Sequence, residues 1–266
     1  MKGYETLGVA AGPARIRVFL RGEGPSVVLL PGMGRPPRDL EAFAQVIAAN
    51  GYRVILPEPR SIGDSTGPLD GISLHDFAND VAAVIEHVGG APVVIVGHAF
   101  GNRIARTLAA DRPDLVAAVV LLGASGKVPP TPEVAAAIKV AQSMHLPASQ
   151  REAAVRLAWF APGRDISPWL DDDWSQPLIQ ASLKAAEATP LADFWTAGEV
   201  PILIVQGLAD VAAVPENGRL LKAEVGDRAT LVELPGVGHS LQVEAPEEAA
   251  AAVMPFLARH LKTPKA

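Results

Sequence analysis

The sequence predicts an α/β protein built on a doubly wound, mostly parallel sheet. Two observations carry that expectation. Short, continuous apolar runs recur along the chain, the pattern of strands covered on both faces. Longer amphipathic stretches of helical period follow most of them, so successive strands are joined by right-handed crossovers in one sheet. The 266 residues suit one large domain or a core with an appendage. The 49% of hydrophobic residues against 20% charged is the balance of a globular chain.

Taken in order, residues 15–21 alternate charged and apolar groups, which suits an antiparallel edge strand. Residues 27–30 are a buried strand, followed by a helical pattern over 40–49. Residues 53–56 precede a second helix over 73–88, in which Leu74, Phe77, Val81, Val84, Ile85 and Val88 share one face. Residues 93–96 lead into a third helix over 102–110, and 117–122, 202–205 and 230–234 complete the strands.

The rhythm breaks between Lys127 and Gly198, where Pro129, Pro130 and Pro132 open a segment without strand runs. Helical patterns cover 134–144, 152–160 and 178–188. The expected division is therefore a core of residues 1–126 and 199–266 with a helical cap over 127–198. All four tryptophans, Trp159, Trp169, Trp174 and Trp195, fall in that insertion. Pockets favour domain seams and aromatic linings, so Trp159, Trp195 and the insertion's His145 are expected to bind substrate.

Composition narrows the function. Lys and Arg total 23 against 29 Asp and Glu, a net charge of −6, which argues against a nucleic-acid binder or an anionic-membrane binder. With no cysteine, disulfides, thiolate metal sites and cysteine nucleophiles are excluded. The six histidines form no close ligand pair, so no metal is expected. The first residues lack the apolar stretch of a secretory signal and no run approaches a membrane span, which gives a cytoplasmic expectation. There is no phosphate-binding loop of the GxxxxGK[ST] type. Gly32-Met33-Gly34 comes closest to a dinucleotide fingerprint, but Pro36 and Pro37 block the helix it requires. The expected partner is a small, largely apolar molecule, with no cofactor, in a monomer or homodimer.

The most informative segment is Val93-Val94-Ile95-Val96-Gly97-His98-Ala99-Phe100-Gly101-Asn102, a strand running through Gly-x-x-x-Gly into a helix. It resembles the nucleophile elbow of the α/β-hydrolase family, where a serine stands between the glycines. The resemblance extends along nearly the whole chain. Leu29-Leu30-Pro31-Gly32-Met33-Gly34 matches the loop that gives one oxyanion-hole N–H, here Met33, and Phe100 after the elbow centre implies the other. Gln206-Gly207-Leu208-Ala209-Asp210 is similar to the turn carrying the family's acid, and Pro235-Gly236-Val237-Gly238-His239 to the one carrying its histidine. The implied catalytic positions are Ala99, Asp210 and His239. His98 is read as packing under the turn, Arg60 as part of a surface turn, and Asp171-Asp172-Asp173 as a solvated helix start.

The departure from the pattern is Ala99 itself, which has no nucleophilic atom. Three readings stay open. The chain is a hydrolase of an ester, lactone or activated C–C bond in which alanine has replaced the serine, as an engineered inactive variant would. Or it is a natural serine-less enzyme using the His239–Asp210 dyad as general base, in the manner of lyases or cofactor-free dioxygenases on this scaffold. Or it is a non-catalytic binder of small molecules.

Overall fold

In a computed structural model of the chain, residues 1–170 and 174–261 are described, so the acidic triplet Asp171-Asp172-Asp173 lies outside the described residues. Eight strands form one sheet: β1 (Glu5–Ala11), β2 (Ala14–Arg21), β3 (Ser26–Leu30), β4 (Arg53–Pro57), β5 (Val93–His98), β6 (Val116–Leu122), β7 (Ile202–Gly207) and β8 (Ala229–Leu234). Their spatial order is β1-β2-β4-β3-β5-β6-β7-β8. β2 runs antiparallel to both its neighbours, and every pairing from β4 to β8 is parallel. The predicted fold class is thus the observed one.

One element differs. Residues 15–21 form an antiparallel strand, but β1 lies outside it and takes the edge, pairing from Glu5 opposite Leu20 to Ala11 opposite Ala14. Its sequence, Glu-Thr-Leu-Gly-Val-Ala-Ala, has neither a continuous apolar run nor a clean alternation, and only Val9 and Ala11 are buried. Pairing with β2, not its own pattern, defines it.

The apolar runs alternate between two cores, as the two-residue period of a strand requires. Val28, Leu30, Ile95, Val119 and Leu121 pack with α2 (Leu74–Val88) and α3 (Phe100–Asp111) on one face. Val27, Leu29, Val94, Val96, Val120 and Leu122 pack with α1 (Glu41–Ala49) and α11 (Pro246–His260) on the other. Burial of each such side chain stabilises by roughly 1.5–3 kcal/mol. Arg60 is not on the surface: its guanidinium lies in the interior, bonded to both carboxylate oxygens of Asp80 at 2.6 and 2.9 Å and to the Pro68 carbonyl at 2.9 Å. A loop arginine reads as exposed from sequence because its partner, 20 residues away, is invisible locally.

Between β6 and β7 run α4 (Pro132–Ala141), α5 (Ala148–Trp159), α6 (Ser167–Leu170), α7 (Gln176–Ala188) and α8 (Leu191–Phe194), with no strand among the described residues. Val155, Ala158, Trp159, Phe160, Trp169, Trp174 and Ile179 make a core of their own. Leu178, Ala181 and Ala185 of α7, with Phe194 and Trp195, instead join the core beneath α2 and α3. The remaining helices are α9 (Glu216–Val225) and α10 (Leu241–Glu244). Among the described residues no helix is long and apolar enough to cross a membrane.

The sheet order places the site. From β3 the chain steps outward to β4, then returns to add β5 on the other side of β3. The loops leaving the carboxyl ends of β3 and β5 therefore diverge, and such a switch point opens the crevice where parallel α/β sheets bind ligands.

Candidate active site

Ala99 is the turn between β5 and α3, with φ 49° and ψ −110°. That backbone region is strained for any residue with a Cβ, and such strain persists only where the surroundings impose it. Here they do. The Ala99 N–H donates to the Leu122 carbonyl at 3.0 Å, and its own carbonyl accepts from the Asn102 N–H at 3.1 Å. A Cβ on Gly97 would strike the backbone of Gly101 and Asn102, and one on Gly101 would lie 2.5 Å from the Leu30 carbonyl oxygen. Asn102 ties the helix to the neighbouring strand through Gly123, and Arg106 donates to Asn102 Oδ1 and the Ser125 carbonyl at 2.8 Å each.

Asp210 and His239 follow β7 and β8 and meet beside this turn. His239 Nδ1 lies 2.9 Å from Asp210 Oδ2, and both side chains are buried. The carboxylate is held from behind. Its Oδ1 accepts the N–H groups of Ala212 and Ala213 at 2.9 and 2.7 Å, and Oδ2 accepts from Gln206 Nε2 at 3.1 Å. With Nδ1–H committed to Asp210, the imidazole has Nε2 as its free acceptor. Gly123, at φ +64°, lets the chain pass over the pair: a Cβ there would sit 3.3 Å from His239 Nδ1.

The turn bearing His239 is fastened through Glu244. Its carboxylate accepts the N–H groups of Gly238, Ser240 and Ala161 at 3.1, 3.1 and 2.9 Å, so it joins the histidine loop to the end of α5. Burial nonetheless holds the Glu244 carboxyl above its ordinary range, the three N–H groups only partly opposing it.

His98 lies under the turn. One ring nitrogen, Nε2, donates to the His239 carbonyl at 2.9 Å, and the other, Nδ1, accepts from Gln242 Nε2 at 3.3 Å. Both contacts suit the neutral ring. Burial, reinforced by His239, pushes its pKa down to about 3. Between that value and the unfolded 6.5, unfolded chains take up a proton that the native fold refuses. Stability accordingly falls as pH drops through this window, by at most ~1.4 kcal/mol per pH unit from this residue. Urea unfolding at pH 6.5 and 4.5 is expected to give a shallower pH slope for His98→Gln than for the unmodified chain.

A cavity of about 320 Å³ opens over Ala99. Met33, Ala99, Phe100 and His239 line its base, and Trp159, Trp169 and Trp174 its apolar wall. Gly32 presses close to the turn, since a Cβ on it would lie 3.8 Å from that of Ala99. Phe100 opens α3, where backbone N–H groups lack partners within the helix. Trp159 and Trp174 stack with centroids 4.7 Å apart, and Trp169 meets both edge-on. The Arg35 guanidinium sits 4.5 Å and 4.3 Å from the Trp169 and Trp174 ring centres while bonded to Asp39 at 2.6 and 2.8 Å. Arg103, Ser125 and Gln142 add polar groups to the lining.

Two expected substrate contacts are elsewhere. Trp195 is outside this cavity: its Nε1 donates to Glu224 Oε2 at 2.6 Å, and Arg106 and Lys127 lie against its ring. His145 is exposed in the link between α4 and α5 and does not reach the cavity lining. Sequence reasoning gave no role to Trp169, Trp174, Arg35 or Arg103 individually. Three tryptophans over 16 residues hinted at a shared wall, but which of them face inward depends on packing between helices.

Comparison with known proteins agrees with this fold. Residues 27–252 match the profile of the alpha/beta hydrolase family. The chain is 27% identical over 242 residues to a non-heme haloperoxidase of Rhodococcus erythropolis, covering 83% of this chain and 87% of that one. A soluble epoxide hydrolase of a Corynebacterium is 33% identical over 110 residues, 41% of this chain and 37% of the relative. An esterase from Exiguobacterium antarcticum superposes with a TM-score of 0.81 at 21% identity, covering 96% of this chain and all of the esterase, a likeness of fold.

Proposed function

Because the chain belongs to the alpha/beta hydrolase family, we propose that it hydrolyses an ester or lactone of a small molecule without a covalent intermediate, His239 acting as general base on water. The observation that carries this reading is the intact Asp210–His239 pair, 2.9 Å apart and buried, beside a turn that keeps its strained geometry around an alanine. Alanine offers no nucleophilic atom. Its methyl leaves room where a serine oxygen would stand, within the same cavity as the imidazole.

In the proposed reaction the water oxygen attacks the substrate carbonyl carbon while its proton passes to His239 Nε2. Asp210 stabilises the imidazolium and fixes which nitrogen accepts. The Met33 and Phe100 N–H groups hold the oxyanion of the tetrahedral intermediate. The imidazolium then returns its proton to the leaving alkoxide, giving acid and alcohol. Helices α4 to α7 act as a cap that supplies the tryptophan wall and limits access of bulk water.

Hydrolysis of short-chain 4-nitrophenyl esters tests the reading. The unmodified chain is expected to turn over slowly, without a burst of nitrophenol, and to gain no mass from a serine-directed phosphonate. His239→Gln is expected to bring the rate down to the uncatalysed background. Turnover that survives His239→Gln would remove the general-base role, and binding of these esters with no turnover at all would favour a binding protein.

A further inference from the structure

Among the described residues, the cavity lining holds two arginines and no carboxylate. Arg35 is committed to Asp39. Arg103 is different: among the described residues its guanidinium makes no ion pair or hydrogen bond, although it is partly buried on α3. Burial lowers its pKa, no carboxylate among the described residues raises it, and it adds repulsion to the Arg106 charge one turn further on. A half-buried arginine without a counter-ion is costly to keep, since such groups are normally paired.

Position points the charge at the reacting centre. Arg103 comes four residues after Ala99, about 6 Å along the axis. Helical side chains lean toward the helix N-terminus, which here is the turn carrying Ala99. Ser125 borders the same space, and Leu183, 44% exposed, marks its opening to solvent.

We propose that the substrate carries a carboxylate, and that Arg103 holds it while the apolar part of the molecule lies on Trp159, Trp169 and Trp174. This rests on the reading of the cavity as a hydrolytic site and narrows it to ester-acids and their lactone counterparts. A planar guanidinium with several donors matches a carboxylate with two parallel bonds. Arg103 is a binding residue in this scheme and takes no part in proton transfer.

The test is equilibrium binding, followed by the fluorescence of the cavity tryptophans, of monoethyl succinate against diethyl succinate. The monoester is expected to bind the unmodified chain on the order of 10- to 100-fold more tightly, as a charged hydrogen bond to a carboxylate implies. Arg103→Met is expected to bring that ratio to about one, and Arg103→Lys to keep part of it. A ratio near one in the unmodified chain, or a ratio that Arg103→Met leaves intact, overturns the proposal. Should Arg103→Met fold poorly, the unmodified chain and Arg103→Lys decide the matter alone. Turnover does not enter the measurement. If neither the unmodified chain nor its serine variant hydrolyses the two compounds, the hydrolytic reading falls while the ratio still judges the carboxylate site.

Discussion

Ala99→Ser is expected to raise kcat for ester hydrolysis by on the order of 10³-fold or more, given that loss of such a serine can cost about 10⁶. The gain requires no rebuilding. The turn already holds φ 49° and ψ −110°, fixed by the Ala99 bonds to Leu122 and Asn102 and by the close approaches at Gly97 and Gly101. Adding one oxygen to the existing Cβ leaves the backbone as it is. The hydroxyl would enter the cavity that His239 lines, where Nε2 is free to take its proton. A burst of product followed by a slower steady rate should appear, with one phosphonate bound per chain at residue 99. A serine variant that folds, yet shows neither burst nor labelling, would mean that His239 is not poised as a base, and the hydrolytic reading would fail with it.

Asp210→Asn, measured in that serine background, is expected to lower kcat by about 10⁴ with the fold retained. Hydrogen bonding dictates the outcome. The N–H groups of Ala212 and Ala213 both need an acceptor, so the asparagine oxygen stays where Oδ1 is now. The amide nitrogen then replaces Oδ2 and faces Gln206 Nε2 and His239 Nδ1. His239 can satisfy an N–H pointing at it only by accepting at Nδ1, which moves its proton to Nε2. An imidazole protonated there cannot take the proton of serine or water. A loss below tenfold would show that Asp210 does not set the tautomer.

How much of this was legible in the sequence follows from the range of the forces involved. The parallel strands announce themselves because each is buried on both faces, and a run such as Val93-Val94-Ile95-Val96 needs no partner to be recognised. The turn at Ala99 was readable for a related reason: its two glycines answer to steric conflicts within a few residues. Asp210 and His239 could be singled out only through resemblance, since 29 residues separate them and nothing local marks either. Features set wholly by distant contacts escaped. β1 exists through its ladder with β2, and Arg60 is interior because Asp80 is. Trp195 and Trp169 look alike along the chain, yet one caps a surface glutamate and the other faces the cavity. Arg103 carries no signal either, because its lack of a counter-ion among the described residues can be seen only in three dimensions.

The unrelaxed backbone at residue 99 also bears on how easily the chain could change its chemistry. Alanine and serine codons of the GCN and TCN type differ at one base, so a single point mutation would install a hydroxyl on a scaffold already shaped to receive it. On the proposed mechanism, covalent catalysis lies within one base change, and a laboratory selection for faster turnover should find the serine variant among its first survivors.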